Sequence, residues 1–425
     1  MMIIVKEADN KQPRTSDRRL LLGLQQSPVV MYTLVSRHPV DHRSVSAPAL
    51  TDKSAPPLAI GMFPVHGISP LSTRYSINLM IAFRCHHAKI TRITVRKPHG
   101  YDFLIGYPMN SIDKIRIGIS SCLLGNPVRF DGGHKRDRYI TDTLGAYFEF
   151  VPVCPEIECG LPVPRESMRL VGSPESPRLI ASKSGTDHTV RMLDWANRRV
   201  EELAGEDLCG FIFKSKSPSS GMERVKVYDR NNVPSNNGVG LFARVFMDRF
   251  PLLPVEEEGR LHDMILREHF IESVFVYRRW RRVVEDFTPH KLVSFHTGHK
   301  LLLRAHSETH YRALGRIAAQ AGTLEPETLW GSYQEQLMAC MRLKSTVKKH
   351  VNVLMHMVGY FKKYLSSDEK KELLEVIDRF KNYHVPLIVP VTLFNHYIRK
   401  YDEAYLRGQY YLNPHPIELK LRNHA

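Results

Sequence analysis

The sequence predicts an α/β N-terminal domain with a mostly parallel sheet, followed by an all-α C-terminal domain. Three observations carry this reading. Short β-branched runs alternate with a helical stretch between residues 115 and 213, strand patterning vanishes after Pro251-Leu252-Leu253-Pro254, and long helical periodicities occupy the remainder. A chain of 425 residues is long enough for two or three domains. Its 43% hydrophobic and 24% charged content is that of a globular protein able to build real cores.

The first 108 residues are patchy, with Pro, Ser and His scattered among short apolar runs, and they hold +8 of the chain's net +16. They read as a poorly ordered basic extension or an upstream start-codon choice, with Met109 opening the patterned part. Ile115-Arg116-Ile117-Gly118-Ile119 alternates and is β-branched, hence a strand, stopping at Ser120-Ser121-Cys122. A second strand, 148–153, ends at Cys154-Pro155, and a third, 208–213, ends before Lys214-Ser215-Lys216-Ser217-Pro218. Between them the spacing predicts a helix over 187–203, capped by Asp187, with Val190, Leu193, Val200 and Leu203 on its inner face. In a parallel sheet the site forms beyond the carboxyl ends of the strands, so the three loops after these strands should converge. The α/β domain spans 109–252 and the helical one 256–425. The latter has helices expected at 261–284, 292–306, 346–365, 368–384 and 391–401.

The net charge of +16 favours a polyanionic partner. Six cysteines without a CxxC pair exclude a disulfide scaffold and a zinc ribbon. No apolar run approaches the roughly eighteen residues a membrane span needs, so a soluble cytoplasmic protein is expected. Nothing in the sequence bears on oligomeric state.

The converging loops hold the chemistry. Cys122, at a strand end beside a helix start, is placed to be a thiolate. The second loop adds Cys154, Glu156, Cys159 and Arg165 between stiffening prolines, and the third is small and polar, Ser217-Pro218-Ser219-Ser220-Gly221. In the helical part, Arg278-Arg279-Trp280-Arg281-Arg282 reads as an RNA-binding face, arginines on phosphates and the indole on a base. His296, His299, His306 and His310 share helical spacing but lack a completing carboxylate or cysteine, so they read as hydrogen-bonded structural histidines. Gly238-Val239-Gly240 lacks the dinucleotide spacing and reads as a turn near the site.

The string SSCLLGNPVRFDGGHKR, then VPVCPE with GLPVPRE, then KSKSPSSG with a following GVG, resembles the TudS-like thiouracil desulfidase family. The helical strings EEEGRL, FHTGHKLLLRAHSETHYRALGRI, KHVNVLMHMVGYFKK, VPVTLFNHYIRKY and PHPIELKLRN resemble the form of that family fused to a helical domain. The resemblance runs from about Ile115 to Asn423. It implies a four-iron four-sulfur (4Fe-4S) cluster held by three cysteines, with one iron open to substrate sulfur. It further implies non-redox hydrolytic desulfuration of thiolated uracil, 4-thiouridine in tRNA, with release of hydrosulfide. Carried across by position, the ligands are Cys122 and Cys154. The third cysteine position, in an SPSCG string, is here Ser220, a poor match for cluster iron. Cys159, or Cys209 at the end of the third strand, are the candidate substitutes. Glu156 matches the family's proton-moving carboxylate, and Ser217 the serine that hydrogen-bonds substrate or water. The competing reading is a non-catalytic RNA-binding protein that has lost its cluster through Ser220.

Overall fold

Four short parallel strands set the geometry of everything that follows. The computed structural model describes residues 114–424, and the expectation for residues 1–108 lies outside them. Strands β1 (Ile115–Ser120), β2 (Phe148–Val153), β5 (Phe211–Phe213) and β8 (Val255–Glu257) form one sheet in the order β2-β1-β5-β8, all parallel. β3 (Met168–Val171), β4 (Arg178–Ala181), β6 (Val225–Tyr228) and β7 (Pro234–Gly238) form a second sheet, ordered β4-β3-β6-β7 and mixed in direction.

The parallel sheet is expected from the β-branched runs, since strands covered on both faces read as continuous apolar stretches. Gly118 in β1 has a packing reason: a Cβ there would lie 2.2 Å from the Phe211 ring. Phe211 belongs to a buried aromatic cluster with Phe213, Phe242 and Phe246, which ties β5 to helix α3 (Leu241–Arg249). Helix α2 (Thr189–Ala204) packs beside α3, with Trp195 5.3 Å from the Phe242 ring.

Three local expectations need correction. The third strand is shorter than expected, Phe211–Phe213, and residues 208–210 precede it. In α2, Val190 is 71% exposed, and Met192, Trp195 and Ala196 join Val200 and Leu203 on the buried face. Asp187 still serves the helix start, accepting from the Thr189 N–H at 2.8 Å from just outside the helix. The parallel sheet also extends past the boundary expected at residue 252. The run Val255-Glu256-Glu257 looks like solvated acid but is β8, with Glu256 and Glu257 buried.

From Met264 the described chain is helical: α4 (Met264–Glu285), α5 (Pro289–His306), α6 (Glu308–Ala318), α7 (Pro326–Met341), α8 (Val347–Val358), α9 (Ser367–Lys381), α10 (Ile388–Tyr401) and α11 (Ala404–Arg407). Side-chain caps start several of them, Asp263 at α4, Thr288 at α5, and a reciprocal Ser366–Glu369 box at α9. Phe270, Val274 and Tyr277 share the buried face of α4, and Met355 of α8 faces out at 47% exposure. One continuous apolar core joins the α/β and helical parts. Among the described residues, no helix is long and apolar enough to cross a membrane.

Candidate active site

The carboxyl ends of β1, β2 and β5 open into a cavity of about 390 Å³, lined by Cys122, Cys154, Glu156, Arg165, Lys214, Ser217 and Ser220. The three loops therefore converge as the sheet topology requires. Ser120 Oγ accepts from the Lys214 N–H at 2.9 Å and binds the first loop to the third. Arg165 binds the first to the second: its guanidinium donates to Val128 O at 3.2 Å and lies 3.7 Å from Glu156 Oε2.

Cys122 sits in a single 3-10 turn, Ser121–Leu124, directly after β1. Cys154 caps the one-turn helix α1 (Pro155–Glu158), its N–H donating to Glu158 Oε1 at 2.7 Å. The expectation of a ready-made thiolate is corrected here. Burial pushes the Cys122 thiol up to about 11 even with the Lys214 ammonium pulling the other way, and burial beside Glu156 pushes Cys154 to about 12. A cation bound to these thiols would favour their ionised form.

Ser220, 3% exposed, donates its N–H to Ser217 Oγ at 3.2 Å. Its side chain lines the same cavity as the two thiols, so two sulfur donors and one oxygen donor share one space. Neither candidate substitute shares the site. Cys209 precedes β5, so it lies at the opposite end of the sheet from the cavity; it contacts Asp207 O, and burial raises it to about 11. Cys159 is outside the cavity lining and turns back onto Glu156 O at 3.2 Å.

Glu156 has its two oxygens on different neighbours. Oε2 lies 3.6 Å from Cys154 Sγ, and Oε1 accepts from Ser219 Oγ at 2.5 Å. Ser217 Oγ in turn is 2.9 Å from Ser219 Oγ. The start of α3 steadies this loop: Leu241 N–H donates to Pro218 O and Ala243 N–H to Ser219 O. Gly240 permits the contact, because a Cβ there would lie 2.5 Å from the Ser219 carbonyl. The Gly238-Val239-Gly240 turn is therefore near the site, as expected.

Several functional groups escape a reading of the sequence. Lys214 beside Cys122 is ion-paired to Glu258, which also accepts from the Ser215 N–H at 2.7 Å. Glu257 accepts from the Met222 N–H at 2.8 Å. The three consecutive glutamates after Pro254 were the available signal, two of them holding the ends of the third loop.

The basic-aromatic helix is a second correction. Trp280 is fully buried, stacked 4.8 Å from Tyr333 and donating Nε1–H to Gln334 Oε1 at 3.0 Å, so its face is closed to a base. Arg278 and Arg281 both pair with Asp207, at 2.8 and 2.6 Å. Arg279 donates to Pro414 O and His299 and lies over the Tyr410 ring. Of the cluster, Arg282 is exposed and without an ion pair among the described residues. The histidines are structural, as expected: His296 bonds Tyr333, His299 bonds Phe295 O, His306 bonds Glu272 and His310 bonds Ser307. Among the described residues, no cluster of His, Cys, Asp and Glu is arranged to hold a metal on its own.

Comparison with known proteins places this geometry. The profile of the 2-thiouracil desulfurase family matches residues 117–258, which contain the whole cavity, and that of a protein family of unknown function, DUF1722, matches residues 300–416. The uncharacterized protein YbgA of Escherichia coli (strain K12) is 30% identical over 152 residues, 35% of this chain and 90% of its own. A solved structure of the [4Fe-4S]-dependent thiouracil desulfidase TudS is 29% identical, over 35% of this chain and 95% of its own, with a TM-score of 0.30. The chain belongs to the TudS-like thiouracil desulfidase family, in its form fused to a DUF1722 helical region.

Proposed function

We propose that this protein hydrolytically removes sulfur from thiolated uracil in RNA, 4-thiouridine in cytoplasmic tRNA, giving uridine and hydrosulfide without net electron transfer. The observation that carries the reading is the meeting of Cys122, Cys154, Ser220 and Glu156 in one cavity, inside the span matched by the 2-thiouracil desulfurase family. Cys122 and Cys154 would hold a 4Fe-4S cluster through sulfur and Ser220 through oxygen. Bound there with one iron open, the cluster supplies a soft Lewis acid suited to a thiocarbonyl sulfur.

The chain's own residues supply the rest. Glu156 takes a proton from the attacking water and returns one to the pyrimidine nitrogen. Arg165, 3.7 Å from Glu156 Oε2, and Arg191, donating to Cys159 O at 2.7 Å, fix the loop that carries it. Lys214 offsets negative charge beside Cys122.

Support for an RNA substrate comes from the cavity mouth instead of α4. Lys135 and Lys216 are exposed there without ion-pair partners among the described residues, beside the 41% exposed Phe130. Cations with an aromatic face suit phosphates and an unstacked base. The helical region would dock the tRNA body.

The reading is tested by anaerobic purification followed by incubation with thiolated tRNA. A brown protein that bleaches the thiouridine absorbance and releases hydrosulfide supports it. A colourless, iron-free protein that binds tRNA without turnover would establish the non-catalytic alternative.

A further inference from the structure

We propose that Ser219 is a positioning residue that carries protons between Glu156 and Ser217, giving one carboxyl group access to two places in the cavity. The inference rests on the hydrolytic reading above. Ser219 is completely buried and outside the cavity lining, so it touches no ligand. Its hydroxyl nevertheless stands between two groups that do line the cavity, donating to Glu156 Oε1 at 2.5 Å and lying 2.9 Å from Ser217 Oγ.

Hydroxyl valence fixes how this chain works. A serine hydroxyl has one proton to donate and two lone pairs to accept with. With Glu156 ionised, Ser219 donates to the carboxylate and Ser217 donates to Ser219. Both lone pairs of Ser217 are then taken, by the N–H groups of Ser219 at 3.3 Å and Ser220 at 3.2 Å. With Glu156 protonated, each donor turns round: the carboxyl donates to Ser219, Ser219 to Ser217, and the Ser217 proton points into the cavity. The longer N–H contact gives way to make room for the third donor.

The proton count balances. With the longer N–H contact released here too, a water at the Ser217 end donates to the freed lone pair and loses one proton to Ser217 as the Ser217 proton passes to Ser219 and the Ser219 proton to Glu156. Both serines end neutral, the carboxylate becomes a carboxyl, and the water becomes hydroxide for attack. Run backwards, the same chain returns the proton. Glu156 Oε2 faces the Cys154 side directly, at 3.6 Å from its sulfur, so the carboxyl reaches one place by itself and the other through two hydroxyls. Hydrolysis of a C=S bond needs both, since the water that loses a proton and the ring nitrogen that gains one are different atoms.

The test uses the full-length enzyme loaded with iron, and compares Ser219→Ala, Ser217→Ala and the double variant. Each single variant should lower kcat by about 100-fold, the scale of a lost proton-transfer path, with KM and iron content unchanged. The double variant should lose no more than either alone, because one broken link disables the chain. Ser219→Thr, which keeps the hydroxyl, should recover most of the rate. Wild-type kcat in Ser219→Ala, or losses that multiply in the double variant, would overturn the proposal. If the wild-type enzyme desulfurates nothing, the functional reading itself fails, and infrared spectroscopy still decides the contact. The carboxylate band removed by Glu156→Gln should shift in Ser219→Ala, and an unmoved band would rule out the hydrogen bond on which the relay depends.

Discussion

In the proposed reading Glu156 is a proton carrier and not a ligand: its oxygens face Ser219 and Cys154, in a cavity that two sulfurs and the Ser220 side chain also line. Glu156→Gln should therefore keep the iron content and lower turnover by at least about 100-fold. Full turnover by this variant on thiolated tRNA would remove the acid–base role. Trp280 gives the opposite kind of prediction. Buried between Phe295 and Tyr333, it belongs to the helical core, so Trp280→Ala should cost about 3 to 5 kcal/mol in urea unfolding. tRNA affinity of the folded fraction should not change, and a specific loss of affinity would restore the indole to the RNA surface. The two residues differ in legibility for a physical reason. Glu156 follows a strand end, and strand ends in a parallel sheet converge wherever the rest of the chain goes. The run Arg278-Arg279-Trp280-Arg281-Arg282 looks solvated because its partners, Asp207, Gln334 and Pro414, are remote in sequence and nothing local announces them.

At the scale of elements, the β-branched strands and the helices α4, α5, α8, α9 and α10 were readable, whereas α6, α7 and elements whose polar residues are satisfied at a distance were not. β8 is the clearest case. Glu256 is buried because Arg260 pairs with it at 2.5 Å, and Glu257 because backbone N–H groups of the third loop converge on it. The second sheet was missed because its strands are four or five residues long and interrupted by turns. Buried polar groups also tie the C-terminal segment to α4. Arg422, 3% exposed, lies 3.1 Å from Glu268 and 3.2 Å from Glu272, and His306 closes the set against Glu272 at 2.6 Å. Arg422→Met leaves two carboxylates without their cation and should destabilise the protein by about 3 to 5 kcal/mol. A loss below about 1 kcal/mol would show the pairing to be energetically idle.

The histidines of α5 make the same region acid-sensitive. Burial lowers His296 from 6.5 to about 4, and burial with the Arg279 charge beside it holds His299 well below the ordinary range. The unfolded chain therefore binds protons that the folded one refuses. Their contribution is intact above the unfolded value and is lost as pH falls from 6.5 towards 4. His296 should cost about 2 kcal/mol by pH 5 and His299 should add to it, read as a falling urea midpoint. A midpoint that does not change between pH 7 and pH 5 would contradict this.

At the scale of the molecule, the α/β part supplies a cavity of about 390 Å³ carrying the donors, and the helical part is fastened to it by Asp207 with Arg278 and Arg281 and by a shared core. The resemblance implies a three-cysteine pattern in which Ser220 stands at the third position, and the proposed function turns on whether the hydroxyl there serves where a thiolate is usual. The most direct measurement is iron and sulfide content after anaerobic reconstitution of the wild type and of Cys122→Ala, Cys154→Ala, Cys159→Ala, Cys209→Ala and Ser220→Cys. The account predicts a loaded wild type, empty Cys122→Ala and Cys154→Ala, unaffected Cys159→Ala and Cys209→Ala, and occupancy in Ser220→Cys raised together with desulfidase activity. An iron-free wild type, or bleaching by substitution of Cys159 or Cys209, would contradict it.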